Sequence, residues 1–394
     1  MLPLEGVRVL AVEQYGAGPF GTMFLADQGA EVIKIENPND GGDMARTVGP
    51  YFFPSGDSQF FHSFNRNKKS LTLDLSRPEA RPVLHDLVRS ADALASNMRG
   101  DVPEKLGLTY AHLKAANPKI VCAHLSAYGR DGPRAAWPGF DYVMQAEAGY
   151  FALTGEPEGA PSRFGLSIVD MMTGLAMAYA LLAALTGARA TGQGQDIDVS
   201  LFDVALHNTG YLAAWYLNAG FNQPRLPRSA HPSLTPCQLY ITADGWIFLM
   251  CNKEKFWPAL CSAVGRPEWA DDPRFRRFPD RLENRDLITG MLDEALQART
   301  TADWLARFAG IVPAAPVNDI AGALDNPYVA ETGRLQTVEH GADGPYRLVA
   351  PPVRTAEPAP ARPAPGLGAD TGSVLEGLGY DAARIAALRA GGVI

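Results

Sequence analysis

Three glycines near the start of the chain restrict its fold more than any other feature of the sequence. Gly16, Gly18 and Gly21 form a G-x-G-x-x-G pattern that opens a segment with helical character. An apolar run of strand length, Val7 to Val12, precedes the pattern, and a second strand pattern follows it and ends at Glu36. Strand, glycine-rich turn, helix and strand in this order predict a parallel βαβ unit with a right-handed crossover.

The alternation of strand and helix patterns continues along the chain and predicts an α/β fold with a parallel sheet. We expect a Rossmann-like large domain in residues 1–220, a smaller α+β domain inserted at 225–325, and a C-terminal segment, 326–394, that returns to the large domain. The further predicted elements are strands at Ser70–Leu75, Ala93–Ser96, Lys119–Leu125 and Gln195–Leu201, helices at Arg77–Ala91, Asp170–Ala188, Phe202–Leu217, Lys255–Val264, Asn284–Ala298, Thr301–Ala309, Thr371–Leu378 and Asp381–Ala390, a hairpin of Gln238–Thr242 and Trp246–Met250, and an extended proline-rich connector at Pro351–Pro365.

Composition narrows the possible partners and the cell compartment. The chain carries 35 Lys and Arg against 43 Asp and Glu, without a long basic block, so we expect neither nucleic acid nor an anionic membrane as a partner. Its four cysteines show no disulfide or metal-site spacing, which is typical of reduced thiols in the cytoplasm. We expect no signal peptide, and we interpret the apolar stretch Met171–Leu185 as a buried core helix.

The glycine pattern by itself also fits a dinucleotide-binding fingerprint, with Glu36 as the acid for a ribose hydroxyl. An NAD(P)-dependent oxidoreductase therefore stays open at this point, beside the simpler interpretation that the glycines only let a helix pack closely on a strand. The sequence contains no P-loop, no HExxH, no Cys/His cluster and no GxSxG, so we expect no protein-bound metal and no serine hydrolase.

Longer segments, in order along the whole chain, carry a more specific signal. They are LEGVRVLAVEQYGAGPFGTMFLADQGAEVIKIENP, GGDMAR, NRNKKSLTLDL, LGLTYAHLKAANPKIVCAHLSAYGRDGP, FGLSIVDMMTGL, TGQGQDIDVSLFD, VPAAPVNDI and GLGYDAARIAALRAGGVI. Together they resemble the family III CoA-transferases, the carnitine/formyl/succinyl-CoA transferase group that also contains α-methylacyl-CoA racemase. The resemblance implies a Rossmann-like layer that carries CoA rather than NAD, and a homodimer of two interlocked chains with the active site at the subunit boundary.

The resemblance also implies the nucleophile. The family uses an aspartate, and the matching position is Asp170 in SIVDMMTG. An aspartate just before an apolar helix is more often only a helix cap. With the resemblance, we interpret Asp170 as the carboxylate that attacks a thioester, and we expect the helix N-terminus to keep it ionised.

Other positions carry over as CoA contacts, with acyl-CoA as a substrate and no tightly bound cofactor. The residues implied to contact CoA are Tyr15, Gly16, Ala17, Asn37, Leu73, Asp74, Leu75, Ser76, Asn97, Met98, Arg99 and Lys105. Arg99 and Lys105 are the expected phosphate partners, and the alternative is a solvated helix face. Asn37 stands where some relatives have a basic residue, so we expect that phosphate contact to be missing or supplied elsewhere.

One position separates the transferase branch from the racemase branch. The racemase branch has Gly-His-Asp where this chain has Gly139-Phe140-Asp141. Phe140 cannot accept a proton, so the resemblance favours a transferase, with Asp141 as a carboxylate near Asp170. The segment Leu249–Lys253 also lacks the glycine-rich loop that covers the intermediate in some relatives.

The substrates are the least specified part of the prediction. Overall similarity favours a CoA-transferase with a small dicarboxylate such as succinate as one partner. Phe140, Arg46 and His231 are the expected substrate contacts, the last two as cations for a distal carboxylate. A racemase, an NAD(P)-dependent oxidoreductase and a non-catalytic CoA-binding module remain as alternatives.

Overall fold

The computed structural model describes residues 1–356 and 360–394, so residues 357–359 of the predicted connector Pro351–Pro365 lie outside the described residues. The strands are β1 Arg8–Val12, β2 Glu31–Glu36, β3 Lys69–Thr72, β4 Ala93–Ser96, β5 Val121–Ser126, β6 Gln195–Ser200, β7 Cys237–Ile241, β8 Trp246–Met250, β9 Ala314–Pro316, β10 Leu335–Glu339 and β11 Pro345–Val349.

The α-helices alternate with these strands in the first half of the chain. They are α1 Ala17–Asp27, α2 Gln59–Asn65, α3 Ala80–Arg89, α4 Val102–Leu106, α5 Tyr110–Leu113, α6 Asp141–Glu147, α7 Tyr150–Leu153, α8 Ile168–Thr191, α9 Leu201–His207, α10 Tyr211–Ala219, α11 Phe256–Ala263, α12 Phe278–Glu283, α13 Arg285–Leu296, α14 Thr301–Phe308, α15 Ile320–Leu324, α16 Pro327–Glu331, α17 Thr371–Gly377 and α18 Ala382–Ala390. Short 3-10 turns lie at Met44–Thr47, Pro227–Ser229, Pro267–Ala270, Pro273–Phe275 and Gly341–Asp343.

A six-stranded parallel sheet organises the first half of the chain, which confirms the predicted α/β class. Its order is β3-β2-β1-β4-β5-β6, and every neighbouring pair in it is parallel. Strand β5 is buried along its whole length. Such strands are typical of a parallel sheet, because helices cover both faces of the sheet. The order reverses between β1 and β4, and parallel sheets bind ligands at such a switch point, beyond the carboxyl ends of the strands.

The chain divides into two compact units. The first unit contains residues 1–148, 164–210 and 330–394. Its core joins the sheet to the C-terminal helices, since Leu375 of α17 and Ile385 of α18 belong to the same buried cluster as Leu10 and Leu94. The C-terminal segment therefore closes one side of the layer that the first residues begin.

The second unit contains residues 149–163 and 211–329. An antiparallel sheet of order β7-β8-β9 forms its centre, and the predicted hairpin between β7 and β8 is confirmed. Its own buried cluster includes Trp257, Phe275 and Trp304. Three of the four free cysteines, Cys237, Cys251 and Cys261, are buried here.

Several elements differ from the sequence prediction, and three of the differences are large. The predicted helix Phe202–Leu217 is two helices, α9 and α10, because Gly210 has φ +54° and interrupts the helical path. The hairpin of β10 and β11 was not predicted. Helix α8 runs longer than the apolar stretch in the sequence, and by length and composition alone it could cross a membrane, a test that core helices also pass.

Candidate active site

Asp170 and Asp141 lie together where two helices begin. Asp170 is in the first turn of α8, and Asp141 is the first residue of α6. The backbone N–H of Asp170 donates to Asp141 Oδ2 at 2.8 Å, and Gln145 Nε2 donates to Asp141 Oδ1 at 2.5 Å. Asp141 is buried, with 4% of its surface exposed, so its carboxylate connects the two helix starts from within the protein.

The Asp170 carboxyl group is held in an environment that disfavours its charge. Burial first, and then the charge of Asp141, raise the pKa of Asp170 from its ordinary 3.8 to about 7. The expectation that the helix N-terminus keeps this group fully ionised is therefore wrong. Burial and a like charge outweigh the field of the helix end, so a large share of Asp170 is protonated at neutral pH.

The glycines of the first turn each face a different neighbour. A Cβ atom added at Gly16 would lie 2.7 Å from Asp170 Oδ2, and one at Gly18 would lie 2.9 Å from the Asn97 side chain. A Cβ at Gly21 would lie 2.3 Å from the carbonyl oxygen of Gly174 in α8. These glycines therefore make room for a carboxylate, a side chain and a second helix.

Two adjoining cavities lead away from Asp170 and hold most of the predicted CoA contacts. The inner cavity, of about 350 Å³, is lined by Tyr15, Gly16, Ala17, Asn97, Met98, Arg99, Phe140 and Asp170, among others. The outer cavity, of about 240 Å³, is lined by Asn37, Leu73, Asp74, Leu75, Ser76, Asn97 and Met98, among others. Because Gln14, Asn97 and Met98 line both cavities, the two form one groove at the carboxyl ends of the strands.

A pair of hydrogen bonds between a side-chain amide and the backbone holds the middle of this groove. Asn97 Nδ2 donates to the carbonyl of Gln14 at 2.6 Å, and the Gln14 N–H donates back to Asn97 Oδ1 at 2.8 Å. Further out, Ser76 N–H donates to Asp74 Oδ1 at 3.0 Å. The residues that follow β1 and β4 are therefore fixed relative to each other, and the turn that follows β3 is held by a hydrogen bond within itself.

A third cavity opens on the other side of Asp170, and we call it the aromatic chamber. It measures about 510 Å³ and is lined by Tyr15, Gly16, Phe20, Met44, Phe60, Phe64, Phe140, Asp141, Tyr142, Gly165, Leu166, Ser167, Asp170 and Met171. Rings pack against each other within it, with centroids 5.1 Å apart for Tyr15 and Phe60 and 6.4 Å apart for Tyr15 and Phe140. No arginine, lysine or histidine is among the described residues of this lining.

A buried group of charges supports the turn at Tyr15. Tyr15 has φ 69°, a left-handed conformation that a bulky residue rarely adopts. Its backbone N–H donates to Asp43 Oδ1 at 2.9 Å, and Asp43 pairs with Lys34 at 2.8 Å. Lys68 pairs with Glu13 at 2.8 Å, and burial lowers the pKa of Lys68 to about 8.

Sequence reasoning assigned no role to these four charged residues, Glu13, Lys34, Asp43 and Lys68. Asp43 and Lys68 lie in GGDMAR and NRNKKSLTLDL, two of the segments that carry the family resemblance. The position of these charged residues within such segments could have indicated a role. Only the folded chain shows that they form ion pairs with one another beside the turn at Tyr15.

The predicted phosphate partners do not both face the groove. Arg99 lines the inner cavity, but its guanidinium also lies 3.2 Å from Asp101. Lys105 lines neither cavity; it pairs with Asp101 at 2.6 Å, and 66% of its side chain is exposed. The prediction for Lys105 is therefore not supported by its position, since it extends into solvent from the short helix α4.

The two predicted cations for a distal carboxylate are both engaged by neighbours within their own unit. The Arg46 guanidinium is bound to both oxygens of Glu36 and to the carbonyl of Pro365, and it stacks on Phe61. His231 belongs to the second unit, where its Nδ1 accepts a hydrogen bond from Ser233 N–H. The contacts of Arg46 do not support its predicted role, because its charge is already paired with Glu36 at the end of β2.

Comparisons with known proteins agree on one family. The model of the family described as CoA-transferase family III matches residues 4–371. The chain is 36% identical over 362 residues to the succinate–glutarate CoA-transferase of Agrobacterium fabrum, covering 90% of this chain and 88% of that one. It is 34% identical over 399 residues to the human succinyl-CoA:glutarate CoA-transferase, covering 100% of this chain and 90% of that one.

The fold is also similar to that of a solved structure. The chain is similar to a CaiB/BaiF family protein from Brucella suis, with a TM-score of 0.82 and 32% identity. That match covers 96% of this chain and 99% of the other.

Proposed function

The chain belongs to CoA-transferase family III, and from that premise we propose that it moves CoA from an acyl-CoA thioester to a free carboxylic acid by covalent catalysis at Asp170. One observation carries the proposal. Asp170 is the acidic residue that lines both the groove and the aromatic chamber, so its carboxyl group separates a site suited to CoA from a site suited to an acyl group.

The transfer proceeds in four balanced steps. The Asp170 carboxylate attacks the acyl carbonyl, forming a mixed anhydride and releasing CoA thiolate. The thiolate attacks the aspartyl carbonyl, which forms an aspartyl–CoA thioester and frees the donor acid. The acceptor carboxylate then attacks this thioester, regenerating a mixed anhydride and the thiolate, and the thiolate attacks the new acyl carbonyl. The product acyl-CoA leaves, and Asp170 is again a carboxylate.

Asp141 is proposed to act through Asp170 rather than on the substrate. Its Oδ2 accepts a hydrogen bond from the backbone N–H of Asp170 at 2.8 Å, and its charge contributes to the raised pKa of Asp170. A raised pKa makes an ionised carboxylate a better nucleophile, at the expense of the fraction that is ionised. Asp141 is therefore a positioning residue.

The groove is the proposed seat of CoA. The inner cavity beside Gly16 would take the thioester end of pantetheine, because a glycine there lets the arm approach Asp170. The outer cavity, with Leu73, Leu75 and Ser76, would take the adenine end. Arg99, in the lining of the inner cavity, is the proposed phosphate partner, and a bound phosphate would compete with Asp101 for its guanidinium.

The two acids are proposed to belong to different classes. Relatives named for succinate, glutarate and succinyl-CoA support a small dicarboxylate as one partner. The aromatic lining of the chamber, with no described basic side chain, favours an acid with an apolar or aromatic body as the other. Phe140 lies in the wall shared by the groove and the chamber, and it replaces the proton acceptor that a racemase needs.

We also propose the assembly and location implied by the resemblance: an interlocked homodimer in the cytoplasm, with the second unit inserted in the first. Helix α10 supports the homodimer, because its sequence YLAAWYLNA is apolar and yet none of its residues is buried in the single chain. Such a helix is stable in water only if another surface covers it.

The nucleophile is tested by replacing Asp170 and following the exchange of labelled succinate into succinyl-CoA. We expect Asp170→Ala to abolish exchange while the circular dichroism spectrum and CoA binding remain. Incubation of the unchanged protein with acyl-CoA and hydroxylamine should convert Asp170 to a hydroxamate that mass spectrometry locates. Normal exchange by Asp170→Ala would refute the proposal, and CoA binding without exchange by the unchanged protein would indicate a binding module.

A further inference from the structure

Three potential metal ligands from distant parts of the chain converge in the first unit. Asp57 precedes α2, His62 lies within α2, and His340 follows β10. Nε2 of His62 and Nε2 of His340 each lie 3.4 Å from the same oxygen, Asp57 Oδ2. The ligand atoms of the three residues all lie within 4.8 Å of one another.

Hydrogen bonding does not account well for these distances. A distance of 3.4 Å exceeds the usual range of about 2.7–3.2 Å for a hydrogen bond from nitrogen to oxygen. His340 Nδ1 lies 2.8 Å from Asp343 Oδ2, and the N–H of Ser55 donates to Asp343 Oδ1 at 2.8 Å. Nδ1 of His340 therefore carries a proton, and in the neutral ring a lone pair at Nε2 faces the Asp57 carboxylate. Two acceptors that face each other need a cation between them.

The second histidine differs from His340 in its far nitrogen. His62 has only 2% of its surface exposed, and its Nδ1 has no hydrogen-bond partner among the described residues. Nε2 of His62, the other ring nitrogen, lies on the side of Asp57 Oδ2. An imidazole nitrogen in this position can coordinate a metal ion.

We propose that Asp57, His62 and His340 bind a divalent cation of the zinc class, with Asp343 orienting His340. Zinc bonds of about 2.1 Å in a tetrahedron place neighbouring ligand atoms about 3.4 Å apart, the distance found from both histidines to Asp57. A carboxylate that fixes the far nitrogen of a metal-bound histidine is a common feature of zinc sites. The Asp57 side chain is 38% exposed, which lets solvent reach a fourth position.

The site would join two segments that are far apart in sequence. His62 is on α2, whose Phe60 and Phe64 line the aromatic chamber, and His340 is on the turn between β10 and β11. A metal held by both would fix α2 to that hairpin and so stabilise one wall of the chamber. It takes no part in the proposed transfer steps at Asp170.

The test uses the full chain, treated with a chelator and then titrated with Zn²⁺ alone. We expect about one Zn²⁺ per chain, a rise in melting temperature on adding Zn²⁺, and the visible absorption bands of a tetrahedral site with Co²⁺. His340→Gln and Asp57→Asn should each weaken Zn²⁺ binding by about 100-fold, and Asp343→Asn by about 10–100-fold. The matched control is His207→Gln, which removes an exposed histidine of α9 and should leave Zn²⁺ binding unchanged.

The alternative is a protonated His340 that bridges Asp57 and Asp343 as a simple ion pair. In that case, the unchanged protein would bind Zn²⁺ no more tightly than His340→Gln, and the proposal would be overturned. Since Asp57 is partly exposed, Asp57→Asn tests the site even if a histidine variant fails to fold. Asp170→Ala should bind Zn²⁺ normally, which separates this site from the proposed catalytic function.

Discussion

The chemistry of this protein depends first on the protonation of one carboxyl group. Asp170 has both features of a tuned nucleophile: it is largely buried, and it lies beside a second acid, Asp141. Buried, coupled carboxyl groups of this kind are typical of functional sites. The Asp141 carboxylate accepts hydrogen bonds from Gln145 Nε2 and from the N–H of Asp170, so it is held in place beside the Asp170 carboxyl group.

The raised pKa of Asp170 predicts a definite pH dependence. Only the ionised form attacks a thioester, so kcat/KM should rise about tenfold per pH unit below pH 7 and level off above it. Asp141→Asn removes the second cause of the shift while its side-chain oxygen can still accept the N–H of Asp170. The midpoint should therefore move to lower pH, but burial should keep it above the ordinary value of 3.8.

The measurement is a pH profile of kcat/KM for both proteins, with a donor whose own carboxylate stays ionised throughout. A midpoint near pH 4 in the unchanged protein would contradict the raised pKa. An unchanged midpoint in Asp141→Asn would mean that Asp141 has only a structural role.

At the scale of elements, the crossing of α1 and α8 builds the site. The two helices approach so closely that backbone meets backbone: a Cβ at Gly21 would lie 2.3 Å from Gly174 O, and one at Gly174 would lie 2.4 Å from Ala17 O. This contact brings the first turn of α8, with Asp170, against Gly16 at the start of α1. The glycine pattern therefore serves a helix crossing and a nucleophile here.

The helix crossing is tested by Gly21→Ala. Alanine normally stabilises a helix relative to glycine by up to about 1 kcal/mol. At Gly21, however, the new methyl group meets a backbone oxygen, so we expect a loss of about 1–3 kcal/mol in the free energy of unfolding. Gly187→Ala is the control, because a Cβ at this exposed position of α8 has no neighbour within 4 Å in the part of the chain that the structure describes.

Urea unfolding measures both variants. Gly187→Ala should be as stable as the unchanged protein or slightly more stable, and Gly21→Ala should be less stable and less active. Equal stabilities for the two variants would show that the crossing tolerates a side chain.

At the scale of the whole molecule, the single chain leaves apolar surface uncovered. Tyr179 of α8 is 75% exposed and Leu217 of α10 is 77% exposed. Surfaces of this kind are typical of subunit interfaces. The proposed homodimer would cover them.

Light scattering on the purified protein tests the homodimer. We expect twice the chain mass of 42.3 kDa. Tyr179→Arg and Leu217→Arg each place a charge at an exposed apolar position of one unit, so each should shift the equilibrium toward the monomer and lower activity. A mass of one chain for the unchanged protein at micromolar concentration would contradict the homodimer.

The parts predicted well from the sequence depend on neighbours along the chain. The end of β2 at Glu36 and both bounds of Ala93–Ser96 were predicted as the structure has them, because a polar turn residue, Asn37 or Asn97, directly follows each strand. Helix α10 was misplaced because an apolar pattern does not reveal that Gly210 leaves the helical path. The cluster of potential metal ligands, Asp57, His62 and His340, was missed because 277 residues separate His62 from His340.

The sequence by itself determined the α/β layer through its strand and helix periodicity, and its motif segments carried the resemblance that gave the family and implied the proposed nucleophile, since both are local properties of the chain. Only the tertiary structure decided the ionisation of Asp170, the separate uses of Gly16, Gly18 and Gly21, and the pairing of Arg46 with Glu36. The reason is physical: a pKa and a steric contact depend on distances across the fold, and a charge such as Arg46 serves whichever acid the fold places beside it.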